Sequence, residues 1–385
     1  MGASLQARLK QIQERVPELE PAQVAAQLAQ AGLLVDIREE DEIAQGMAEQ
    51  AVRIPRGLLE LQIGQHVPGV DQPIVVMCAA GTRSLLAADA LMSMGYRQVF
   101  SVTGGFAAWK QQGLPVCVPR LLSQQERERF GRHLKIPEIG EAGQLRLLQS
   151  RVLLIGAGGL GSPAALYLAA AGVGTIGIVD DDVVDRSNLQ RQILHNESRV
   201  GMKKVESARM TLLGLNPSLE VQCHDLRLDA SNVLQTMQGY DVVVDGTDNF
   251  GSRYLINDAC VKTGVPCVHA AIFRFEGYLT VHSTRHQGPC YRCSFPSAPP
   301  PELAPSCAEA GVLGVLPGVI GALQAVEVIK LLLGMGMPLV GRVLNYDAMA
   351  NEFTEHETVV DPMCPVCSLD PSAIALADGA DVCAF

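Results

Sequence analysis

The sequence predicts an α/β protein in two parts, a small domain with a parallel sheet followed by a larger, doubly wound domain. In residues 1–118, apolar runs of strand length alternate with helical patterns. In residues 151–182, a strand, a glycine-rich turn, a helix and a second strand follow one another, which is typical of a nucleotide-binding βαβ unit. The length of 385 residues agrees with two or three domains of roughly 150 residues each.

The composition is typical of a compact soluble enzyme, with 48% hydrophobic and 18% charged residues. The net charge of -11 argues against nucleic acid or an anionic membrane as a partner, because both attract basic surfaces. No apolar run of signal-peptide length follows Met1, so we expect a cytoplasmic protein. In that reducing compartment, 11 cysteines favour metal binding and thiol chemistry over disulfide bonds.

The first domain is predicted to contain three buried parallel strands. Their apolar runs are LLVDIR (33–38), PIVVMC (73–78) and RQVFSVTGG (97–105), and LLAADALMSMG (85–95) is predicted as the helix between the last two. The segment GLPVCVPR (113–120) is predicted to be a linker to the second domain.

The second domain is predicted to begin with helical, polar residues over 121–149 and to add a later strand in YDVVVDGTDN (240–249). Its most apolar stretch, residues 311–334, is interrupted by Pro317 and contains polar and charged side chains. We interpret that stretch as a buried core helix and not as a membrane span.

The glycine-rich turn predicts nucleotide binding. Gly156, Gly158 and Gly161 fit the pattern GxGxxG between a strand and a helix, Gly159 lies in the same turn, and Asp180 ends the next strand. Glycines let backbone N–H groups approach phosphates at the helix N-terminus, and the carboxylate can bind a ribose hydroxyl. This motif alone does not distinguish NAD from ATP.

The following segment favours ATP. In SNLQRQILHNESRVGMKKVESAR, the spacing of Asn188, Arg191 and Gln192 predicts one helical face, and Lys204 follows after a turn. Two cations and an amide near the glycine turn suit a triphosphate better than the pyrophosphate of NAD. A solvated basic face is the alternative.

Two aspartates in DGTDN predict a cation site. Asp245 and Asp248 follow a strand at its carboxyl end, where open α/β sheets bind ligands. A carboxylate at that place can hold Mg²⁺ against substrate phosphates. For Asp245, the alternative is that the side chain caps a turn.

Two CxxC pairs predict a structural zinc site. Cys290 and Cys293 form one pair, and Cys364 and Cys367 form the other. Four thiolates suit a closed, tetrahedral Zn²⁺ site with no open position for catalysis, and redox-active dithiols are the alternative.

Residues 151–367 resemble the MoeB/ThiF-type adenylyltransferases, bacterial relatives of ubiquitin-activating enzymes. The motifs that carry the resemblance are GAGGLG, DDDVVDRSNLQRQ, GMKKVESAR, DGTDN, CYRC, CPVC and SCAEAGVLG. The resemblance implies a Rossmann-like fold, ATP and Mg²⁺, a homodimer, and adenylation of the C-terminal glycine of a ubiquitin-like sulfur carrier protein ending in Gly-Gly.

The same resemblance implies roles for individual residues. Asp248 would take the Mg²⁺-binding catalytic role, and Cys307, in the proline-rich loop PPPELAPSCAEAG, would attack the adenylate or resolve a later intermediate. Arg132, in RFGRHL, would reach the ATP of the neighbouring subunit. Asp180 would bind the ribose, and the phosphates would be bound by Asn188, Arg191 and Lys204.

The first domain poses a separate question about Cys78. A cysteine at a strand end, followed by converging loop amides and a helix start, is an environment that stabilises a thiolate. The motifs CAAGTRS, VDIREEDEIAQG, RIPRG and TGGFAAWKQQGLPV resemble the rhodanese family. This resemblance implies a persulfide on Cys78, with Arg83 closing the loop, in a sulfurtransferase domain over 1–118 and an adenylyltransferase domain over 119–385.

Together these features predict a two-step enzyme. The carrier adenylate would react with the Cys78 persulfide, and a second thiol, from Cys307 or an external reductant, would release the carrier thiocarboxylate. An upstream donor such as a cysteine desulfurase would supply the sulfur. The pathway stays open among molybdopterin, thiamine, cysteine and siderophore synthesis, and the C-terminal tail with Cys383 has no assigned role.

Three other functions are compatible with parts of the pattern. An NAD-dependent oxidoreductase with a fused rhodanese would use the glycine motif but would leave Lys204 and its neighbouring polar residues without a purpose. Adenylation of a small-molecule or tRNA-linked carboxylate fits the same fold, although the acidic composition disfavours tRNA. A pure scaffold is disfavoured because each candidate active-site position carries a competent residue.

Overall fold

The computed structural model describes residues 4–27, 32–297 and 311–378. The chain divides into two compact units, Met1–Leu121 and Leu122–Phe385. Each unit contains a parallel or mostly parallel sheet with helices, so the predicted α/β class is confirmed.

The first unit contains a five-stranded sheet in the order β1-β6-β5-β2-β4, and all of its strand pairs are parallel. Each of the three predicted strands contains an observed one, and the central strand β5 is buried along its whole length. A parallel strand that is covered on both faces has a continuous run of apolar residues, which is why these strands were predictable from the sequence. The helices and strands are α1 Leu5–Gln13, β1 Glu18–Leu19, α2 Pro21–Gln27, β2 Leu33–Asp36, α3 Glu40–Ile43, β3 Met47–Ala48, β4 Val52–Arg53, α4 Leu59–His66, β5 Ile74–Met77, α5 Thr82–Ser93, β6 Val99–Val102, α6 Gly105–Gln111 and β7 Val116–Cys117.

The predicted linker over 113–120 needs a correction. Strand β7, which lies within this segment, pairs antiparallel with β3. Met47 therefore lies opposite Cys117, and Ala48 lies opposite Val116. The indole of Trp109 also donates a hydrogen bond to the Pro115 carbonyl, at 3.0 Å. Because backbone pairing joins it to the rest of the fold, this segment belongs to the first unit.

The second unit contains an eight-stranded mixed sheet in the order β10-β9-β8-β11-β12-β13-β14-β15. The first five strands in this order are parallel to one another. The last three, β13, β14 and β15, are added to that sheet in antiparallel pairs. The helices and strands are α7 Gln124–Arg129, α8 Gly140–Gln149, β8 Arg151–Ile155, α9 Gly161–Ala171, β9 Thr175–Val179, α10 Lys204–Leu215, β10 Glu220–His224, α11 Val233–Met237, β11 Val242–Asp245, α12 Phe250–Thr263, β12 Cys267–Phe273, β13 Glu276–His282, α13 Tyr291–Ser294, α14 Leu316–Leu333, β14 Arg342–Asp347 and β15 Glu352–Glu357.

The order of the parallel strands positions the candidate site. Strand β8 lies between β9 and β11, so the chain runs outward in opposite directions from the β8/β11 pair. In the register of the sheet, Ile155 lies opposite both Val179 and Asp245, so these three strands end at the same level. The loops that follow them therefore open into one crevice at the point where the strand order reverses, which is where doubly wound sheets bind ligands.

Helix α14 fills the region predicted as a core helix. Pro317 lies in its first turn, where a missing N–H costs nothing, so it begins the helix and does not interrupt it. Among the described residues, this helix alone has the length and composition that would let it cross a membrane. Its buried side chains, including Ile320 and Val328, belong to the hydrophobic core that also contains β8 and α9.

Candidate active site

The glycine turn after β8 is held in a compact form by two close approaches. Gly156 has a φ of +98°, a left-handed conformation that favours glycine. A Cβ on Gly161 would lie 2.0 Å from the Gly156 carbonyl oxygen, so no other residue fits at the start of α9. The turn can therefore present its backbone amides, together with the N-terminus of α9, to an anion.

A cavity of about 350 Å³ opens at this turn, within the size range of small-molecule sites. It brings together most of the residues that the sequence predicted for nucleotide binding. Those that line it are Gly156, Gly158, Gly159, Asp180, Arg191, Gln192, Lys204 and Asp248.

Lys204 and Asp180 form one wall of the cavity. The Lys204 ammonium lies 2.7 Å from a carboxylate oxygen of Asp182 and 3.8 Å from one of Asp180. Asp180 also accepts a hydrogen bond from the Ala157 amide at 2.9 Å. Since only 5% of Lys204 is exposed, its charge is held in place by these carboxylates. The role of Asp182 was not predicted, although it stands in the quoted run DDD.

The segment with Asn188 and Arg191 differs from the expected helix. A 3₁₀ turn over Arg186–Asn188 begins at Asp185, whose carboxylate accepts the Ser187 amide, and irregular turns follow it. Asn188 and Arg191 are nevertheless close together, as the sequence predicted, because Arg191 donates a hydrogen bond to the Asn188 amide oxygen at 3.1 Å. Asn188 does not itself line the cavity and instead orients Arg191.

The two aspartates of DGTDN separate into different roles. Asp248 lines the cavity. Asp245, 1% exposed, lies behind it and accepts hydrogen bonds from the Thr247 amide at 2.9 Å and from His269 Nδ1 at 2.7 Å. Of the two roles left open for Asp245, the structure shows the turn cap, because its oxygens fix the turn that presents Asp248.

The buried pair of Asp245 and His269 has a defined protonation. Burial opposes ionisation of Asp245, but the hydrogen bonds from His269 and the Thr247 amide, together with the nearby Arg253 guanidinium, keep the pKa of Asp245 below its usual range. Burial lowers the pKa of His269, so its ring is neutral, donates from Nδ1 to Asp245 and accepts from the Tyr278 hydroxyl at Nε2, 2.8 Å away. His269 and Tyr278 were not predicted, because neither belongs to a recognisable motif.

Two further cations that line the cavity, Arg227 and Arg253, were missed by sequence analysis. Arg253 lies in the first turn of α12, after the N-cap residue Asn249, and donates to the Thr247 carbonyl at 3.3 Å. Burial opposes its charge, but neighbouring Tyr278, Asp245 and other groups keep its pKa above the usual value. Its position just after DGTDN, in FGSRY, is the signal that could have identified it.

The four cysteines of the two CxxC pairs converge in the second unit. The sulfur atoms of Cys290 and Cys364 are 3.5 Å apart, those of Cys293 and Cys367 are 3.4 Å apart, and those of Cys290 and Cys293 are 3.9 Å apart. Zinc–sulfur bonds of about 2.3 Å in a tetrahedron place sulfur atoms about 3.8 Å from each other. The cluster thus fits a tetrahedral metal ion. Burial raises the pKa of Cys290 to about 12, so its thiolate requires a cation.

In the first unit, the Cys78 loop has the geometry of an anion site. The Cys78 sulfur accepts the Gly81 amide at 3.1 Å and lies 3.5 Å from the Ser84 hydroxyl, at the N-terminus of α5. The loop is held against the first turn of α6, where the Phe106 amide donates to the Cys78 carbonyl at 2.8 Å. A Cβ on Gly105 would lie 2.3 Å from that carbonyl oxygen, so this contact requires glycine.

Arg83 closes the loop toward a residue that was not predicted. Its guanidinium donates to both carboxylate oxygens of Glu42, at 2.5 and 2.8 Å. Glu42 lies in helix α3, within the quoted motif VDIREEDEIAQG. The ion pair therefore fixes the Arg83 side chain and places one positive and one negative charge next to the Cys78 loop.

The remaining predicted residues lie elsewhere. Arg132 is exposed and lies outside the cavity, next to the 3₁₀ turn His133–Lys135. Cys307 and Cys383 lie outside the described residues.

Comparison with known families agrees with both resemblances. The model of the ThiF family matches residues 130–366, and the model of the rhodanese-like domain matches residues 20–112.

Curated relatives extend this result. The SAMP-activating enzyme E1 of Haloferax volcanii is 52% identical over 246 residues, which are 64% of this chain and 90% of that protein. The sulfur carrier protein adenylyltransferase of Thermus thermophilus is 47% identical, over 66% of this chain and 96% of that protein. The probable adenylyltransferase/sulfurtransferase MoeZ of Mycobacterium tuberculosis is 49% identical, over 63% of each chain.

Among solved structures, Escherichia coli MccB with ATP is similar in fold, with a TM-score of 0.55 and 23% identity over 64% of this chain and 75% of that one. The relatives confirm the prediction of an enzyme with adenylyltransferase and sulfurtransferase activities. The chain belongs to the ThiF family, and a rhodanese-like domain precedes its ThiF region.

Proposed function

We propose that this enzyme uses ATP to adenylate the C-terminal glycine carboxylate of a ubiquitin-like sulfur carrier and then converts it into a thiocarboxylate with sulfur from Cys78. The observation that carries the proposal is the cavity at the strand-order reversal, where a glycine turn, Lys204 and Arg191 meet. Relatives named as a sulfur carrier protein adenylyltransferase and a SAMP-activating enzyme support this class of substrate.

The cavity is suited to bind a triphosphate along its glycine turn. The amides of the turn and the N-terminus of α9 bind phosphate oxygens, and Lys204 and Arg191 add positive charge. Asp180, at the end of β9, is in place to accept a hydrogen bond from a ribose hydroxyl. Arg253, which lines the same cavity, supplies a further cation near Asp248.

Adenylation needs charge neutralisation and alignment. A carboxylate oxygen of the carrier attacks the α-phosphorus of ATP, a new P–O bond forms, and the bond to the leaving pyrophosphate breaks. Lys204 and Arg191 neutralise the negative charge that separates the two reactants. The residues of the cavity hold the two groups in line, which removes much of the entropic barrier.

We assign Mg²⁺ to Asp248. Its carboxylate faces the cavity, and carboxylates combined with substrate phosphates are the usual ligands of this ion. The ion would neutralise phosphate charge. Asp245 is not assigned to it, since its oxygens are already bonded to Thr247 and His269.

We assign Zn²⁺ to the four-cysteine cluster, since the sulfur separations fit a tetrahedral ion. Two ligands follow β13 and two lie in the C-terminal segment, so the ion would hold that segment to the body of the second unit. With four thiolates, it has no open position and a structural role follows.

The sulfur step uses Cys78. A persulfide on Cys78 attacks the carbonyl carbon of the carrier adenylate, AMP leaves, and an acyl disulfide joins the carrier to Cys78. A second thiol then attacks the Cys78 sulfur, releases the carrier thiocarboxylate and forms a disulfide that a thiol reductant reopens. The Gly81 amide and the N-terminus of α5 stabilise the anionic sulfur. We assign the supply of persulfide sulfur to an upstream donor such as a cysteine desulfurase.

We also propose a homodimer. A groove of about 320 Å³ on the second unit is lined mainly by apolar side chains of α9 and α14, among them Tyr167 and Val326. Both are strongly exposed, at 60% and 47%. His133, the neighbour of Arg132, lines the same groove. A partner that covers the groove would place Arg132 at the subunit boundary, where it can reach the partner's cavity.

Mass spectrometry of a Gly-Gly-ended carrier tests the proposal after incubation with the enzyme, Mg-ATP and a persulfide donor. We expect pyrophosphate release and a mass gain equal to the replacement of one oxygen by sulfur. Cys78→Ala should keep pyrophosphate release and lose the mass gain. Absence of pyrophosphate release with the wild-type enzyme would contradict the first step, and a mass gain in Cys78→Ala would contradict the second.

A further inference from the structure

A buried histidine joins two parts of the nucleotide cavity without lining it. His195 is 7% exposed. Its Nε2 lies 3.0 Å from the Ala157 carbonyl oxygen, and its Nδ1 lies 2.9 Å from the Ser207 hydroxyl. Both hydrogen bonds are buried, so neither is exchanged easily for a bond to water.

The partners of His195 define its tautomer. The Ala157 carbonyl can only accept a hydrogen bond, so Nε2 carries the proton. Burial, together with the nearby cations of Lys204 and Arg199, lowers the pKa of His195 despite the carboxylate of Asp180, and the ring is neutral. Nδ1 is then an acceptor, and the Ser207 hydroxyl donates to it.

The two hydrogen bonds of this ring end on the two elements that face the phosphates. Ala157 lies within the glycine turn, and its amide is already bonded to Asp180. Ser207 lies one turn after Lys204 in helix α10. A rigid ring bonded at both nitrogens therefore fixes the distance between the amides of the turn and the Lys204 ammonium.

We propose that His195 is a positioning residue, which sets the spacing of the glycine turn and Lys204 so that both bind the phosphates of ATP. The inference rests on the proposed function. The ring is hydrogen-bonded to the glycine turn and to helix α10 but reaches Asp180, assigned to the ribose, only through Ala157, so its effect should be larger on the phosphates than on the nucleoside. A residue that only fills space in the core would have no such selectivity.

Two substitutions separate the volume of the ring from its hydrogen bonds. His195→Phe keeps the volume and removes both bonds. His195→Gln places an amide N–H where Nε2 lies and can restore the bond to Ala157. Leu212→Ala is the matched control, because Leu212 is fully buried on α10 and packs in the core, so its loss destabilises the same helix without removing a hydrogen bond to the glycine turn.

Isothermal titration calorimetry of the full chain with Mg-ATP and, separately, with adenosine tests the proposal. We expect His195→Phe to weaken ATP binding about tenfold, as expected for a lost hydrogen bond near charged groups, with adenosine affinity unchanged within about twofold. His195→Gln should recover ATP affinity to within about threefold of the wild type, and Leu212→Ala should change neither affinity beyond about twofold.

Equal weakening of ATP and adenosine in His195→Phe would reduce His195 to a structural residue and overturn the proposal. Unchanged ATP affinity in His195→Phe, or no recovery in His195→Gln, would overturn it as well. A wild-type protein that binds adenosine but not ATP would instead overturn the proposed function, so the two failures are distinguishable.

Discussion

The Glu42 carboxylate and the Arg83 guanidinium form a two-point ion pair at the Cys78 loop, with distances of 2.5 and 2.8 Å. The residues are 41 positions apart in the chain, so the pair ties helix α3 to the first turn of α5, which directly follows the Cys78 loop. The hydrogen bonds from Arg83 lower the pKa of Glu42 to about 2. The charged form of Glu42 is therefore the one that the folded state stabilises.

Glu42→Gln should lower the free energy of unfolding of the first unit by about 1 kcal/mol at neutral pH, a modest value because both side chains are partly exposed. The ordinary pKa of Glu42 is 4.5, so the contribution is complete above that pH and is lost as the pH falls toward 2. Urea titrations followed by fluorescence of Trp109, the single tryptophan of the chain, measure this unit in the full protein.

Glu60→Gln is the matched control, since Glu60 pairs with Arg56 only four positions away on the surface of the same unit. Such a pair contributes about 0.3–0.5 kcal/mol. A loss in Glu42→Gln that is no larger than in this control, or one that persists unchanged at a pH of about 2, would contradict the assigned role of the pair.

Cys364→Ser should release the metal that we assign to the four-cysteine cluster. We expect the wild-type chain to hold about one zinc ion and the variant to hold almost none, measured by mass spectrometry of the metals in the purified protein. Cys223→Ala is the control, because its half-buried thiol donates to the Val205 carbonyl and lies outside the cluster. Equal zinc content in Cys364→Ser and the wild type would contradict the assignment.

The loss of zinc should also destabilise the second unit, because Cys364 and Cys367 would no longer be fixed to Cys290 and Cys293. The variant should become sensitive to proteolysis after Ser294, while the control should resemble the wild type. Equal proteolysis of both proteins would indicate that the metal does not hold the C-terminal segment.

The sequence was sufficient for the features that depend on local patterns. The strands β5 and β8 were predictable because parallel strands buried on both faces are continuous apolar runs. The glycine turn and the cysteine pairs were predictable because fixed spacing reflects close backbone approach and metal geometry. Most of the residues that the sequence predicted for nucleotide binding line the cavity for the same reason.

Features that depend on distant contacts were not predictable. His269 meets Asp245 across two neighbouring strands, and Glu42 meets Arg83 through packing of α3 on the loop. No local pattern encodes either contact. The segment after Asp185 was predicted as a helix because 3₁₀ turns and α-helices both place residues i and i+3 close together.

A mixture of two inactive variants should recover activity if the protein is a homodimer with shared sites. Arg132→Ala and Asp248→Ala should each abolish pyrophosphate release. After subunit exchange, the mixture should regain about one quarter of the wild-type activity, because half of the dimers are mixed and each has one intact site. Pyrophosphate release with ATP and carrier measures this. No recovery, despite exchange shown by native mass spectrometry, would place Arg132 outside the partner's cavity.

Lys204 and Lys203 are adjacent, yet only Lys204 lines the cavity, so they offer a sharp comparison. Lys203 points to the Asp181 carbonyl and the Asp225 carboxylate, each at 2.9 Å. Lys204→Met should lower kcat for pyrophosphate release about a hundredfold, because it removes a fixed cation from the phosphates. Lys203→Met should stay within about twofold of the wild type, since its exposed ion pair contributes little.

The Lys204 variant also leaves Asp182 without its partner, and that excess negative charge alone could repel ATP. The double variant Lys204→Met/Asp182→Asn removes the excess charge. If Lys204 acts on the phosphates, KM for ATP should be lower in the double variant than in Lys204→Met, because the excess negative charge is gone. The kcat should stay low, because removing that charge does not replace the missing cation. Recovery of kcat to the wild-type value would show that Lys204 only neutralises Asp182.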